Sequence, residues 1–227
     1  MHTELLKPFV IRLADKRIQI EPMYPMIREY CKEYVEVDQT DHCVDKSDRG
    51  IDLTVHSCNE DILYEKERSD REVRKEGKQP IEYPVDYLET LAVYRQIAEW
   101  MPQQGIVLFH GSVVAVDGKA YLFTAKSGTG KSTHTRLWRE YFGERAIVVN
   151  DDKPLLKVSE TAVTAYGTPW DGKHRLSTNI GVPLEAVCVL SRAAGNKIQE
   201  ITSAEVYPML LQQCYRPQNI NSLTKTM

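Results

Sequence analysis

An apolar run at residues 120–123 passes directly into Ala125-Lys126-Ser127-Gly128-Thr129-Gly130-Lys131-Ser132 and then into a helical pattern over 131–142 that Gly143 stops. No other segment constrains the fold as strongly. A strand, a glycine-punctuated loop and a helix in that order set the helix N-terminus at the strand's end. There the backbone amides and the positive end of the helix dipole converge on one point. Gly128 and Gly130 let the backbone curl so that successive N–H groups face an anion. Lys131 adds a fixed positive charge, and the Ser132 hydroxyl is a hard oxygen suited to a magnesium ion.

The segment fits G-x-x-x-x-G-K-[ST], with Ala125 in place of the first glycine. It therefore reads as a P-loop for a nucleoside triphosphate, ATP or GTP with Mg2+, formed by Ala125, Lys126, Ser127, Gly128, Thr129, Gly130, Lys131, Ser132 and Thr133. Downstream, Ile147-Val148-Val149 runs into Asn150-Asp151-Asp152, an apolar strand ending in two carboxylates. That is the pattern of a strand lying beside the loop strand and delivering an acid to the metal. Of such a pair, one carboxylate suits the metal or its water, and the other suits the proton of an attacking hydroxyl.

The surrounding texture is α/β. Residues 9–13 and 17–20 flank Ala14-Asp15-Lys16 as a hairpin, 25–34 has helical spacing, and 51–56 alternates like a strand. Residues 38–50 are polar and turn-rich. Over 60–78, 13 of 19 residues are charged, seven acidic and six basic, which reads as a solvated helix or excursion and as the boundary between two regions. Beyond it lie a helix at 84–100, strands at 106–109 and 113–116, and an Asp117-Gly118 hairpin turn. The strand over 119–124 and a helix at 204–214 complete the pattern. Residues 1–80 form a small α+β accessory region, and 81–227 a mixed sheet with flanking helices.

Composition narrows the partners. A net charge of −3 lacks the basic excess of a dedicated nucleic-acid binder. The apolar runs fall short of the ~18–20 residues a membrane helix needs. With no basic-then-apolar start, the expectation is a cytoplasmic protein. Five scattered cysteines without a CxxC pair fit reduced thiols. His42, Cys43, His56 and Cys58 lack zinc-finger spacing and read better as packing residues than as metal ligands.

His110-Gly111, the hairpin through Asp117-Gly118, the Ser127–Ser132 loop and Asn150-Asp151-Asp152, in that order, resemble the catalytic domain of HPr kinase/phosphorylase. This family shares its P-loop fold with phosphoenolpyruvate carboxykinases. The ordered match covers about 109–152, and a looser one continues through Tyr166-Gly167-Thr168-Pro169 to Leu190. The resemblance implies an ATP-dependent kinase acting on a serine or threonine hydroxyl. Its acceptor would be an HPr-like protein, a modified-peptide precursor or a small-molecule hydroxyl. It further implies Lys131 on the phosphates, Ser132 and Asp151 at Mg2+, Asp152 as general base and His110 beside it. A homo-oligomer is in keeping with the family.

The family's N-terminal domain, later glutamate ligand and glycine-rich catalytic loop have no clean counterpart. Its C-terminal helical portion is short or missing, as if truncated. Asp171, Lys173, His174 and Arg175 occupy the region of that loop, where they suit Mg2+, phosphate, an acidic acceptor or a solvated turn. Two other readings stay open on residues alone: a nucleotide-binding module without turnover, and a carboxykinase-like enzyme for a keto acid.

Overall fold

The computed structural model describes residues 6–36, 50–75, 77–126 and 128–227. The polar stretch 37–49, with His42 and Cys43, and the loop residue Ser127 lie outside them. The chain divides into two compact units, Met1–Ile97 and Ala98–Met227. The helix expected at 84–100 forms as α3, Val85–Trp100, and most of its length belongs to the first unit.

In the first unit β1 (Phe9–Leu13) and β2 (Lys16–Glu21) pair antiparallel, with Leu13 opposite Lys16. The connection is therefore the two residues Ala14 and Asp15, both at positive φ (47° and 66°), a type I′ turn. Lys16, expected in the turn, is already strand. β3 (Leu53–His56) adds parallel to β2. The helix expected at 25–34 breaks: α1 covers Met26–Tyr30, and a 3₁₀ turn takes Lys32–Tyr34.

The charged stretch is the helix α2, Asn59–Lys75. It is not solvated all round, because Ile62 and Glu65 are buried. Arg95 of α3 donates to Glu65 Oε1 at 2.5 Å and to Asp61 Oδ1 at 2.6 Å, while its guanidinium lies 4.7 Å from the Tyr64 ring centroid. His56 Nδ1 lies 3.5 Å from Glu21 Oε2, and Cys58 Sγ donates to Asp61 Oδ2 at 3.1 Å, so each has a local partner.

The second unit is mixed α/β, built on a curled seven-stranded sheet in the order β4-β8-β9-β10-β6-β5-β7. Its strands are β4 (Ile106–Leu108), β5 (Ser112–Val116), β6 (Lys119–Thr124), β7 (Ala146–Asn150), β8 (Leu155–Val158), β9 (Val163–Tyr166) and β10 (Gly181–Val189). Asp117 and Gly118 sit at φ 51° and 78° in the hairpin that joins β5 to β6, as the dipeptide predicts. Four strands follow the loop segment, and only β7 is evident from its sequence pattern. β10 is two strands in one: 181–183 pair antiparallel with β9, and 184–189 pair parallel with β6 across a bulge. That switch lets one chain segment turn the sheet.

Alternation along β6 decides its two faces. Ala120 and Leu122 join Phe109, Val113, Val149, Leu156 and Ala165 in the core. Tyr121 and Phe123 point to the other face and meet Trp138 of α4 (Lys131–Phe142), with ring centroids 5.0 and 4.9 Å apart. Residues 203–213 and 220–226 form α5 (Ser203–Gln213) and α6 (Ile220–Thr226). Thr202 and Glu205 cap α5 reciprocally.

The sequence pattern places β7 beside the loop strand, but β5 intervenes. Because β5 is antiparallel to both neighbours, β6 and β7 still run the same way. Their C-terminal ends, Thr124 and Asn150, thus emerge at one edge of the sheet.

In the first unit, Glu89 is fully buried and accepts hydrogen bonds from Met23 N (2.6 Å), Tyr24 N (3.0 Å) and Ser57 Oγ (2.6 Å). Glu89→Gln turns an acceptor into a donor facing donors. A loss of about 1–3 kcal/mol is expected in urea unfolding, and an unchanged midpoint would refute the role given to this carboxylate.

Candidate functional site

The loop after β6 begins with buried Ala125 and ends at Gly130, the residue preceding α4. Gly128 (φ 75°) and Gly130 (φ 119°) both occupy backbone conformations that favour glycine. Open space surrounds the Cβ position of each, so conformation rather than crowding selects the residue. The loop folds on itself through Thr129 N donating to Lys126 O at 3.2 Å. Lys131 Nζ donates to Ala125 O at 3.2 Å, which turns the ammonium back along the loop. Burial lowers the Lys131 pKa, and the charge of Asp152 partly opposes this.

Where β7 ends, the side chain of Asn150 governs the chain. It is fully buried; its Nδ2 donates to Thr168 O and lies 3.1 Å from Thr168 Oγ1, and its Oδ1 accepts from Asp152 N (2.9 Å) and Lys153 N (2.6 Å). This Asx-type turn sends Asp151 and Asp152 in different directions. Asp151 Oδ1 accepts from Gly172 N at 2.5 Å. A Cβ on Gly172 would stand 2.6 Å from both carboxylate oxygens, so residue 172 has no room for a side chain. Burial raises the Asp151 pKa, and the nearby Asp171 and Asp152 charges add to the rise against the Gly172 N–H.

Asp152 is the opposite case. Burial alone would raise it, but His110 Nε2 at 3.5 Å from Oδ1 and Lys153 Nζ at 2.7 Å from Oδ2 outweigh burial and bring its pKa down to about 2. Two adjacent carboxyls are thereby driven apart, one toward protonation and one firmly ionised.

His110 is held through both its backbone and its ring. Its N–H donates to Gln213 O at 2.8 Å, its carbonyl accepts from Thr124 Oγ1 at 3.2 Å, and Nδ1 lies 3.1 Å from Gln213 Oε1. The next amide, Gly111 N, donates to Asp152 O at 3.0 Å, tying the His110 strand end to the carboxylate strand end. A Cβ on Gly111 would meet Leu122 Cδ1 at 2.7 Å and Phe123 O at 3.1 Å. Only glycine permits so close an approach.

The structure thus brings together His110, Asp152 and Lys131, with Asp151 on the adjoining turn. Ser127 lies outside the described residues, and Lys126, Thr129, Ser132 and Thr133 take their places along the loop and the first turn of α4. Asp171 joins them. Its side chain is 1% exposed, Oδ2 accepts from Ser177 N at 3.0 Å, and buried Oδ1 makes no hydrogen bond, with Arg175 Nε 3.8 Å away. Sequence reasoning missed Gln213, whose bond to His110 spans 103 residues, and Thr168, which locks Asn150. It also missed the steric roles of Gly111 and Gly172. A glycine directly beside a candidate acid or histidine was the one available signal.

Among the described residues no three His, Cys, Asp or Glu side chains group as metal ligands, and no helix is long and apolar enough to cross a membrane. A magnesium ion does not require such a cage. It commonly takes one or two protein oxygens and completes its shell with phosphates and water. Asp151, destabilised as an anion beside Asp171, is a hard-oxygen donor of that kind, so the residues fit the ion.

The depressed Asp152 pKa makes a signed prediction. A carboxyl whose folded pKa lies below its unfolded value stabilises the protein above the unfolded pKa, and the gain is lost as pH falls through the folded one. The wild-type protein should exceed Asp152→Asn by about 2 kcal/mol near neutrality. That margin should shrink below about pH 4 and vanish near pH 2, measured by urea unfolding across pH. A pH-independent difference would show that the His110 and Lys153 contacts do not act on the ionised form.

Residues 82–220, which carry every side chain of this site, match the family model described as SynChlorMet cassette protein ScmC. No curated protein matches the chain. With more than half of its length covered by that model, the chain belongs to the ScmC family.

Proposed function

We propose that this protein is an ATP-dependent phosphotransferase with a P-loop core of the HPr kinase type, acting on a serine or threonine hydroxyl of a small protein or peptide. The observation that carries the reading is the meeting of three strand ends. The loop with Lys131, the turn with Asp152 and the segment with His110 are joined by the Gly111–Asp152 and Thr124–His110 hydrogen bonds. A phosphate-binding loop and an ionised carboxylate braced by a histidine are the two halves that phosphoryl transfer needs.

On this reading the amides of residues 130–133 and the Lys131 ammonium hold the phosphates, with the α4 dipole behind them. Ser132 and Asp151 hold Mg2+, which supplies charge neutralisation at the phosphates when bound. Asp152 receives the acceptor hydroxyl. A carboxylate with a pKa near 2 is a weak base. In a loose transition state, however, the proton leaves late, and orienting the hydroxyl in line matters more than basicity. His110, fixed by Gln213, stands at 3.5 Å to take part in the proton's movement.

A second reading has one observation in its favour. Lys153 Nζ grips Asp152 at 2.7 Å, which suits a module that binds nucleotide without transferring phosphate. Labelled ATP with Mg2+ and a panel of peptide and protein acceptors separates the two. Lys131→Ala should weaken nucleotide binding about ten-fold or more. Asp152→Asn should keep binding and lose transfer by roughly 10²-fold or more. Binding indifferent to Lys131→Ala would refute the phosphate loop. Binding without transfer by the wild type to any acceptor would favour the non-catalytic module.

A further inference from the structure

We infer that Arg192 is a positioning residue of the phosphate loop. It holds the carbonyls of Gly128 and Thr129 away from the bound anion and so aims the Gly130 amide at it, while the Thr129 amide stays on Lys126 O. The inference rests on the phosphate-loop reading above. It concerns a residue far from the motif in sequence and brought to it by the sheet alone.

The placement follows from register. β10 pairs parallel with β6, Val189 lies opposite Thr124, and Leu190 N donates to Thr124 O at 2.8 Å. The two chains therefore leave the sheet together at the same edge. Two residues on, the Arg192 guanidinium meets the loop tip: Nη2 donates to Gly128 O at 2.6 Å and Nε reaches Thr129 O at 3.4 Å. One planar fork thus engages two consecutive carbonyls, a geometry that lysine cannot copy.

The peptide unit is planar and trans, so a carbonyl and the next residue's N–H point in opposite directions. Drawing the Thr129 carbonyl to Arg192 fixes the Gly130 N–H on the far side. Gly130 is the residue before α4, whose first amides have no partner within the helix. The positive φ of Gly128 and Gly130 allows this orientation, and by itself also allows others. Arg192 supplies the selection among them. It also covers two carbonyl dipoles with positive charge, which removes a repulsion that a polyphosphate would otherwise meet.

The full chain, with Arg192→Ala and Arg192→Lys variants, tests this in two measurements. Amide hydrogen exchange over 126–134 without nucleotide should quicken about ten-fold in Arg192→Ala, the scale of a lost charge-assisted hydrogen bond. Lysine should rescue it only in part. Affinities for Mg-ATP and Mg-ADP should then fall by the same factor, about ten-fold, because both depend on the loop's shape. Unchanged exchange overturns the brace. A loss confined to Mg-ATP also overturns it, since Arg192 would then contact the terminal phosphate directly. If the variants alter exchange while the wild type binds neither nucleotide, the brace stands and the phosphate-loop reading fails.

Discussion

The side-chain amide of Asn150 is the interaction on which the site depends. It is buried at the end of β7, gives its N–H groups to Thr168 and takes the amides of Asp152 and Lys153. A strand that ended in two acids without it would leave both free to turn toward water and away from each other's field. With it, the backbone at 151–153 has one course, and Thr168 ties that course to the segment carrying Asp171 and Gly172. Asn150 does no chemistry in this scheme, yet each carboxylate's environment follows from its four contacts.

The sheet does the same on a larger scale. Strands β6 and β7 are not neighbours, and their ends meet only because β5 reverses twice between them. Gly111 closes the remaining distance. Its lack of a side chain lets the chain after Phe109 pass against Leu122 and Phe123 and hand an amide to Asp152. The histidine is carried in by the same close approach and then clamped from the far side by Gln213. The C-terminal segment therefore completes the His110 environment: Phe109 bridges Cys214, and Tyr215 N donates to Leu108 O at 2.8 Å.

What the sequence made legible was local. The helix at 131–142, its Gly143 stop and the Asp117-Gly118 turn each depend on residues a few positions apart, and each forms as read. So do the apolar strand before the loop and the one ending in acids. The sequence was silent where pairing is distant. β8 and β9 have four residues each, too few to show a period, and β10 carries Pro183 and Glu185 with mixed exposure because it serves two partners. The helix expected over 25–34 fails at Cys31 although its apolar spacing is right, since spacing alone does not mark a change to 3₁₀ geometry. The place of β5 between β6 and β7 is a property of the whole sheet, which no window of sequence contains.

The two acids show why a net charge of −3 says little about such a site. Asp151 and Asp152 are adjacent and chemically identical, yet burial and Asp171 push one up while His110 and Lys153 pull the other down. A group that resists ionisation in a low-dielectric pocket gains most from a cation, because the cation removes the cost of its charge. A group already ionised and held by two donors gains least from a cation, and on the proposed reading it orients a neutral hydroxyl. The neighbouring carboxyls thus differ in the direction that the proposed roles call for, Asp151 toward a metal and Asp152 toward a hydroxyl. That difference comes from burial and from partners around residues 110, 153 and 171 rather than from the Asp-Asp pair itself.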